Sequence, residues 1–470
     1  MTLEFSHIIN GKAQASAAHF DVLNPSTGGV VGKAPRATAA DVAAAIAAAK
    51  AAFPAWAAQP DPARQDALRA MAKVIEANAE ELARLLTLEQ GKPLAGLGSR
   101  FEVGACIGWL MNTAGLMLEE ETIQNDAAAH IIVQSKPIGV VAAISPWNWP
   151  LMIAIWQIAP AIRAGNTVVL KPSPLTPLST LRMVELLASV LPPGVLNCIG
   201  ALDDVAPILS SHPDISKVSF TGSTATGKRV MAAASDTLKR LTLELGGNDA
   251  AIILPDVDPA AIAEGLFWGA FINNGQTCAC LKRLYVHDDV YDAVCASLTA
   301  VLKAIPMGDG LDEANVMGPV QNAAQFNKVR EMVDDAVAKG GKVLIGGKAS
   351  GGPGYFYPLT LVAEATHGMR LVDEEQFGPA LPIIRYSDID AVIAIANATT
   401  MGLGASVWSG NAVRAAALVR RLESGTAWVN SHGGLNPNAP FGGVKQSGFG
   451  VEFGADGLRE FTVRQTVFLR

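Results

Sequence analysis

Between Gly139 and Leu254, short apolar runs alternate with longer stretches whose apolar residues recur at helical spacing. Val140 to Ile144, Thr167 to Leu170, Lys217 to Phe220, Leu241 to Leu245 and Ala250 to Leu254 read as strands. Segments 150–164, 176–190, 203–210 and 224–234 read as helices. This alternation predicts crossover units and a largely parallel sheet covered by helices on both faces. Ligands of such sheets bind at the carboxyl ends of the strands. A second strand and helix series over 281–430 predicts a second α/β unit. Upstream, the capping-box spacing from Thr38 to Asp41 opens an alanine-rich helix. One further helix is predicted from about Pro62 to Glu89, stopped by Gly91 and Pro93, and another from Phe101 to Leu118. His130 to Val133 reads as an exposed strand. Phe461 to Arg470 alternates like an edge strand, which predicts pairing with another subunit, because open edges aggregate.

The chain has 470 residues, half of them hydrophobic, enough for two or three domains with large cores. Its net charge of −7, with no clustered basic face, argues against a nucleic-acid partner. Five irregularly spaced cysteines do not make a disulfide framework. The seven histidines make no pair at metal spacing, and neither CxxC nor HExxH occurs, so no metal is predicted. Pro137 to Ile162 is uncharged and long enough to span a bilayer, but Pro146, Pro150 and Pro160 interrupt it. It reads as a buried strand, a tight loop and an apolar helix, so no membrane association is expected. Met1 to Asn10 lacks signal-peptide features, and a reducing, cytoplasmic setting is expected.

The candidate chemistry centres on Phe271-Ile-Asn-Asn-Gly-Gln-Thr-Cys278-Ala-Cys280. A polar turn there breaks an apolar helix just before Cys278. Such a setting suits an accessible thiol whose thiolate is stabilised by nearby donors, against the alternative of an inert buried cysteine. In Arg240-Leu-Thr-Leu-Glu244-Leu-Gly-Gly247, the leucines share one face and Glu244 takes the other. A lone carboxylate at a strand end is either a general base with a raised pKa or a structural ion-pair partner. Asn148, in the stiff loop Ser145-Pro-Trp-Asn-Trp-Pro150, either donates to an oxyanion or caps a turn. Phe220-Thr-Gly222-Ser-Thr-Ala-Thr-Gly227-Lys228 follows a strand and opens a helix, as a phosphate-facing turn does. It nearly matches a P-loop, but Arg229 stands where Ser or Thr would hold magnesium. Lys171, ending a strand, and Glu375 with Phe377 suit a ribose and a flat ring, or are ordinary loop residues.

Taken together, these motifs closely resemble the NAD(P)-dependent aldehyde dehydrogenase superfamily over essentially the whole chain. The residues that carry the resemblance are Pro146-Trp-Asn148, Lys171-Pro-Ser173, Phe220 to Ser223 with Gly227, Leu243 to Gly247, Gly275 to Cys278, Glu375 with Phe377-Gly-Pro379, and Pro440 to Gly443. The resemblance implies a Rossmann-like cofactor domain (1–118 and 138–246), an α/β catalytic domain (247–445) and a small oligomerisation sheet (119–137 and 446–470). It implies a homodimer or homotetramer. Cys278 would be the nucleophile, passing through a thiohemiacetal and a thioester. Asn148 would be the oxyanion donor and Glu244 the base that activates water. NAD, NADP or both would be bound by Ile144, Trp147, Lys171, Ser173, Gly222, Ser223, Gly227, Leu245, Glu375 and Phe377. Trp149, Trp156, Ile272, Thr277 and Leu435 would line the aldehyde channel.

Two departures bear on specificity. Pro174 stands where NAD-preferring members often carry a ribose-gripping glutamate, so NADP is expected to be accepted alongside NAD. Cys278-Ala-Cys280 resembles succinate-semialdehyde dehydrogenases, some of which use such a pair as a redox switch. Those enzymes tend to place a basic residue where this chain has Ile272, and an unpaired buried carboxylate is costly. An uncharged aliphatic or aromatic aldehyde is therefore expected, with the semialdehyde reading as the alternative. A P-loop nucleotide hydrolase and a non-catalytic structural paralogue are the readings from other classes. Within the family, acyl transfer to CoA is disfavoured by Glu244.

Overall fold

The computed structural model describes residues 3–349 and 351–469. Met1, Thr2 and Arg470, on which parts of the terminal expectations fall, lie outside them. Two large sheets dominate. The first has eight strands, in the spatial order Gly448–Phe449, Arg240–Glu244, Ile215–Thr221, Val140–Ile144, Thr167–Lys171, Leu196–Cys198, His7–Ile9 and Lys12–Gln14. The pairings from Arg240–Glu244 through Leu196–Cys198 are all parallel. Strands Val140–Ile144 and Thr167–Lys171 are buried at every position. This is the reason that they read as unbroken apolar runs rather than alternating ones.

The second sheet has seven strands, ordered Lys342–Ile345, Thr360–Ala363, Ala380–Tyr386, Leu281–His287, Asp249–Ile253, Gly404–Trp408 and Thr426–Val429. A smaller sheet of three strands joins Thr462–Leu469, His130–Pro137 and Glu121–Asn125. Thr462–Leu469 pairs antiparallel with His130–Pro137 along its whole length and leaves its other edge open within the chain. Gly448–Phe449, inside the segment assigned to the bridging sheet, instead adds to the edge of the eight-stranded one. A Cβ at Gly448 would lie 1.8 Å from the Leu243 carbonyl oxygen, so only glycine allows this approach.

The helix from Thr38 begins as expected, its capping box complete with Asp41. The single helix predicted over 62–89 is instead two, Asp61–Ala77 and Ala79–Gln90, divided at Asn78. The Asn78 side chain donates to the Val74 carbonyl at 2.8 Å, competing with the helical ladder, as asparagine commonly does. Gly91, in the left-handed conformation at φ 92°, ends the second. The segment 203–210 starts as the tighter turn Asp203–Val205 before Ala206–Ser211. The short N-terminal strands His7–Ile9, Lys12–Gln14, His19–Leu23 and Val30–Pro35 have no counterpart in the sequence reading. Among the described residues, no helix is long and apolar enough to cross a membrane.

Candidate active site

The helix Pro259–Phe271 stops because the next residues leave helical space. Asn273 and Asn274 adopt φ 50° and 58°, the left-handed region that asparagine tolerates better than most residues. Their side chains hold the kink: Asn273 donates to the Asn148 carbonyl at 2.7 Å and Asn274 to the Gly318 carbonyl at 3.0 Å. A Cβ at Gly275 would lie 2.4 Å from the Gly378 carbonyl oxygen. This packed turn leaves Cys278 half-buried between the two large sheets.

The electrostatics differ from the expectation of a stabilised thiolate. Burial first, then the charges of Glu244, Glu375 and Asp249, push the Cys278 thiol well above its ordinary pKa; the Ala279 amide opposes this. Cys280 is fully buried, and burial raises its pKa too.

Glu244 ends the strand Arg240–Glu244, only 2 % exposed, with neither carboxylate oxygen hydrogen-bonded to a side chain. Burial, then the charge of Glu452, push its pKa well above the carboxylate range, countered by the Gly443 amide. That amide lies near Glu244 without meeting strict hydrogen-bond geometry. No cation pairs with it, which removes the structural ion-pair reading among the described residues. Glu452, itself buried, is raised to about 8 by burial, against the pull of Lys217.

Asn148 lies between strand Val140–Ile144 and helix Pro150–Arg163. Its amide donates to the Gln276 carbonyl at 2.9 Å, two residues from Cys278. The neighbouring Trp149 indole donates to the Thr277 hydroxyl at 2.9 Å. Thus the three residues proposed for chemistry, from separate parts of the chain, converge on one place.

A second group forms a cleft at the carboxyl ends of the first sheet. The Ser223 hydroxyl caps helix Thr224–Ala234. A Cβ at Gly222 would lie 2.5 Å from the Phe220 ring, and one at Gly227 2.5 Å from Leu245. Side chains are thus barred from positions 222 and 227, which leaves the backbone bare there, next to a helix N-terminus of the kind that suits an anionic group. Ile144 ends the neighbouring strand, and Lys171 the next one. The Lys171 ammonium, buried, meets exposed Asp203 at 2.9 Å. Ser173 accepts from the Leu175 amide at 3.3 Å. Trp147 and Phe377 pack edge to face with ring centres 5.4 Å apart. Glu375 accepts from the Gly247 amide at 3.1 Å, its pKa raised to about 7 chiefly by burial and opposed by Lys282. A Cβ at Gly246 would lie 2.4 Å from a Glu375 oxygen, which explains the glycine pair. This donor set, with bare backbone, a helix end, a lysine and a carboxylate, fits a dinucleotide.

On the other side of Cys278, Ile272, Cys278, Trp428 and Leu435 pack against the apolar cluster that holds Trp149 and Trp156. Trp156 lies edge-on to Phe453 at 4.7 Å and tilted to Trp109 at 5.5 Å. Four relevant side chains were not singled out from sequence: Glu452, Lys92, Glu102 and Asp203. Each sits in an ordinary local context and gains meaning only from its neighbours in space. Among the described residues, no cluster of three or more His, Cys, Asp or Glu side chains is placed to hold a metal.

Residues 12–467 match the model of the aldehyde dehydrogenase family. The chain is 39% identical over 463 residues to phenylacetaldehyde dehydrogenase of Pseudomonas fluorescens, covering 96% of this chain and 92% of that protein. It is 37% identical over 480 residues to geranial dehydrogenase of Castellaniella defragrans, covering 100% of both. Among solved structures, an NAD-dependent aldehyde dehydrogenase from Sinorhizobium meliloti superposes with a TM-score of 0.97 at 36% identity, covering 100% of this chain and 95% of that one. The chain belongs to the aldehyde dehydrogenase family. It is an oxidoreductase that acts on an aldehyde with NAD or NADP, on the mixed α/β scaffold of that family.

Proposed function

We propose that Cys278 attacks the aldehyde, that Asn148 and the Cys278 backbone N–H receive the oxyanion, and that Glu244 deprotonates the water that later releases the acid. The observation that carries this reading is the isolated, buried Glu244 carboxylate whose charge acts on the Cys278 thiol. Attack requires the thiolate. The thiohemiacetal oxygen would be held by the Asn148 amide; such a donor typically contributes about 10² to 10³ in rate. Residues Gly222 to Gly227 would hold NAD or NADP, which would supply the hydride acceptor. The resulting acyl group stays on Cys278 as a thioester until Glu244 takes a proton from water.

The cofactor would be held by Ile144, Trp147, Lys171, Ser173, Gly222, Ser223, Gly227, Leu245, Glu375 and Phe377. Residues 1–118 with 138–246 would form its domain, 247–445 the catalytic domain, and 119–137 with 446–470 the bridging segment, apart from Gly448–Phe449, which joins the eight-stranded sheet. The substrate would be an uncharged aliphatic or aromatic aldehyde between Trp149, Trp156, Ile272, Thr277 and Leu435. The apolar packing of these side chains and the names of the phenylacetaldehyde and geranial relatives support that class. Five unpaired cysteines suit a reducing, cytoplasmic setting. The open edge of Thr462–Leu469 supports assembly as a homodimer or homotetramer.

Rapid-mixing kinetics test the chemistry. Glu244→Gln is expected to release one burst of reduced cofactor per site and then turn over at least about 10²-fold more slowly. Cys278→Ser is expected to give no burst. Steady turnover at the parental rate in either variant overturns the assignment.

A further inference from the structure

A lysine and a glutamate lie buried behind the loop that carries Asn148. Lys92, just past the helix stop at Gly91, and Glu102, on helix Ser99–Gly115, have side chains with no exposure at all. Their charges meet at 2.5 Å. Burying two charges costs several kcal/mol per ion before their attraction is counted. A buried pair is therefore weak evidence for stability, and its other contacts need a reason.

Those contacts all run to one loop. The Lys92 ammonium also donates to the Asn148 carbonyl at 2.8 Å and sits 3.5 Å from the centre of the Trp149 ring. The second Glu102 oxygen accepts from the Leu151 and Met152 amides at 2.9 and 3.1 Å. These amides belong to the first turn of helix Pro150–Arg163, where the N-cap residue Trp149 supplies no capping side chain. Glu102 thus caps that helix from a different helix. The Asn148 carbonyl receives a second donor from Asn273, on the kink that precedes Cys278. Its side-chain amide is directed to the Gln276 carbonyl.

We infer that Lys92 and Glu102 are positioning residues for the oxyanion donor, fixing the Asn148 backbone so that its amide meets the oxygen of the intermediate at Cys278. The inference rests on the proposed role of Asn148. Lys92 holds the carbonyl of that residue, and Glu102 holds the two amides that start the following helix. The peptide unit between them therefore has little freedom. Asn273 couples the same carbonyl to the nucleophile's own loop. Displacement of a reacting group by about 1 Å can cost about 10²-fold in rate. Burial lowers the Lys92 pKa to about 8, against the pull of Glu102.

A double-mutant cycle with Asn148→Ala tests this, read as kcat/KM for the aldehyde, with cofactor dissociation constants measured by fluorescence. Lys92→Met is expected to lower kcat/KM about 10- to 100-fold, while NAD binding changes less than about twofold. In the Asn148→Ala background the same change is expected to have no further effect beyond about twofold, because no donor remains to misplace. Lys92→Met/Glu102→Gln, which removes both charges without leaving one unpaired, is the second probe and the replacement should Lys92→Met not fold. Full multiplication of the Lys92 and Asn148 effects overturns the inference, as does a parental rate in both Lys92 variants. If Asn148→Ala alone keeps the parental rate, the donor role itself is wrong, and that single variant shows it separately.

Discussion

Glu452 stands buried close to Glu244, and its charge opposes ionisation of the Glu244 carboxyl. Glu452 lies under the influence of Lys217, whose ammonium reaches the Thr242 hydroxyl at 2.6 Å and Glu460 at 3.5 Å. Glu244 serves as a base only when ionised, which happens above its raised pKa. Glu452→Gln removes the like charge and lowers that pKa. The acid limb of kcat is therefore expected to move to lower pH. A pH profile between 5 and about 9 checks this. A limb that stays in place, or moves upward, shows that burial alone controls Glu244.

The Cys278 thiol is raised by burial first and then by carboxylate charge. A raised pKa means little thiolate at neutral pH. Alkylation of the cofactor-free protein by iodoacetamide is therefore expected to be slow at pH 7 and to keep rising past about pH 9, the ordinary cysteine range. Glu244→Gln should accelerate it at a fixed pH above the raised Glu244 pKa, where one opposing charge is gone. A plateau below pH 8, or no acceleration, contradicts this electrostatic account.

Pro174 removes a carboxylate from the ribose end of the cofactor cleft, and Asp203 restores one on Lys171 at 2.9 Å, on a side chain 82% exposed. NAD and NADP are both expected to work, with kcat/KM differing by less than about a hundredfold, near 2.7 kcal/mol. Asp203→Ala should shift the ratio toward NADP by roughly fivefold, the scale of about 1 kcal/mol between solvent-screened charges at this range. Measuring both cofactors with parent and variant decides it. An unchanged ratio removes Asp203 from the argument.

The strand Thr462–Leu469 carries Phe468, 70% exposed, at an open sheet edge. Phe468→Asp is expected to shift the assembly toward smaller species in sedimentation velocity. The same assembly at the same concentration would place the subunit contact elsewhere.

How much of this was visible in the sequence depends on how local each cause is. Val140–Ile144 and Thr167–Lys171 are covered on both faces, so their apolar runs announced them. Glu244, Asn148 and Cys278 stand in distinctive turns and strand ends, whereas the reason for a glycine at 246, the close approach of Glu375, shows only in three dimensions. The split at Asn78 was hidden because the apolar pattern runs through it, and only a side-chain bond to Val74 reveals the break. Lys92 and Glu102 read as a helix stop and an ordinary helical acid. Their purpose lies in bonds to the loop at 148–152, which no spacing along the chain encodes. The polar turn before Cys278 is local and legible, whereas the three carboxylates whose charges raise its pKa come from elsewhere in the chain.

The short strand Gly448–Phe449 lies directly against Leu243 and Glu244, and Glu452 follows it within a few residues. The Glu244 end of its strand is therefore unfinished until this late stretch arrives. A nascent chain on the ribosome that has emitted the nucleophile and both large sheets' central strands would still lack a wall beside its base. Competence for the full reaction should switch on only once residues 448–452 can fold back against Glu244, rather than grow gradually during synthesis.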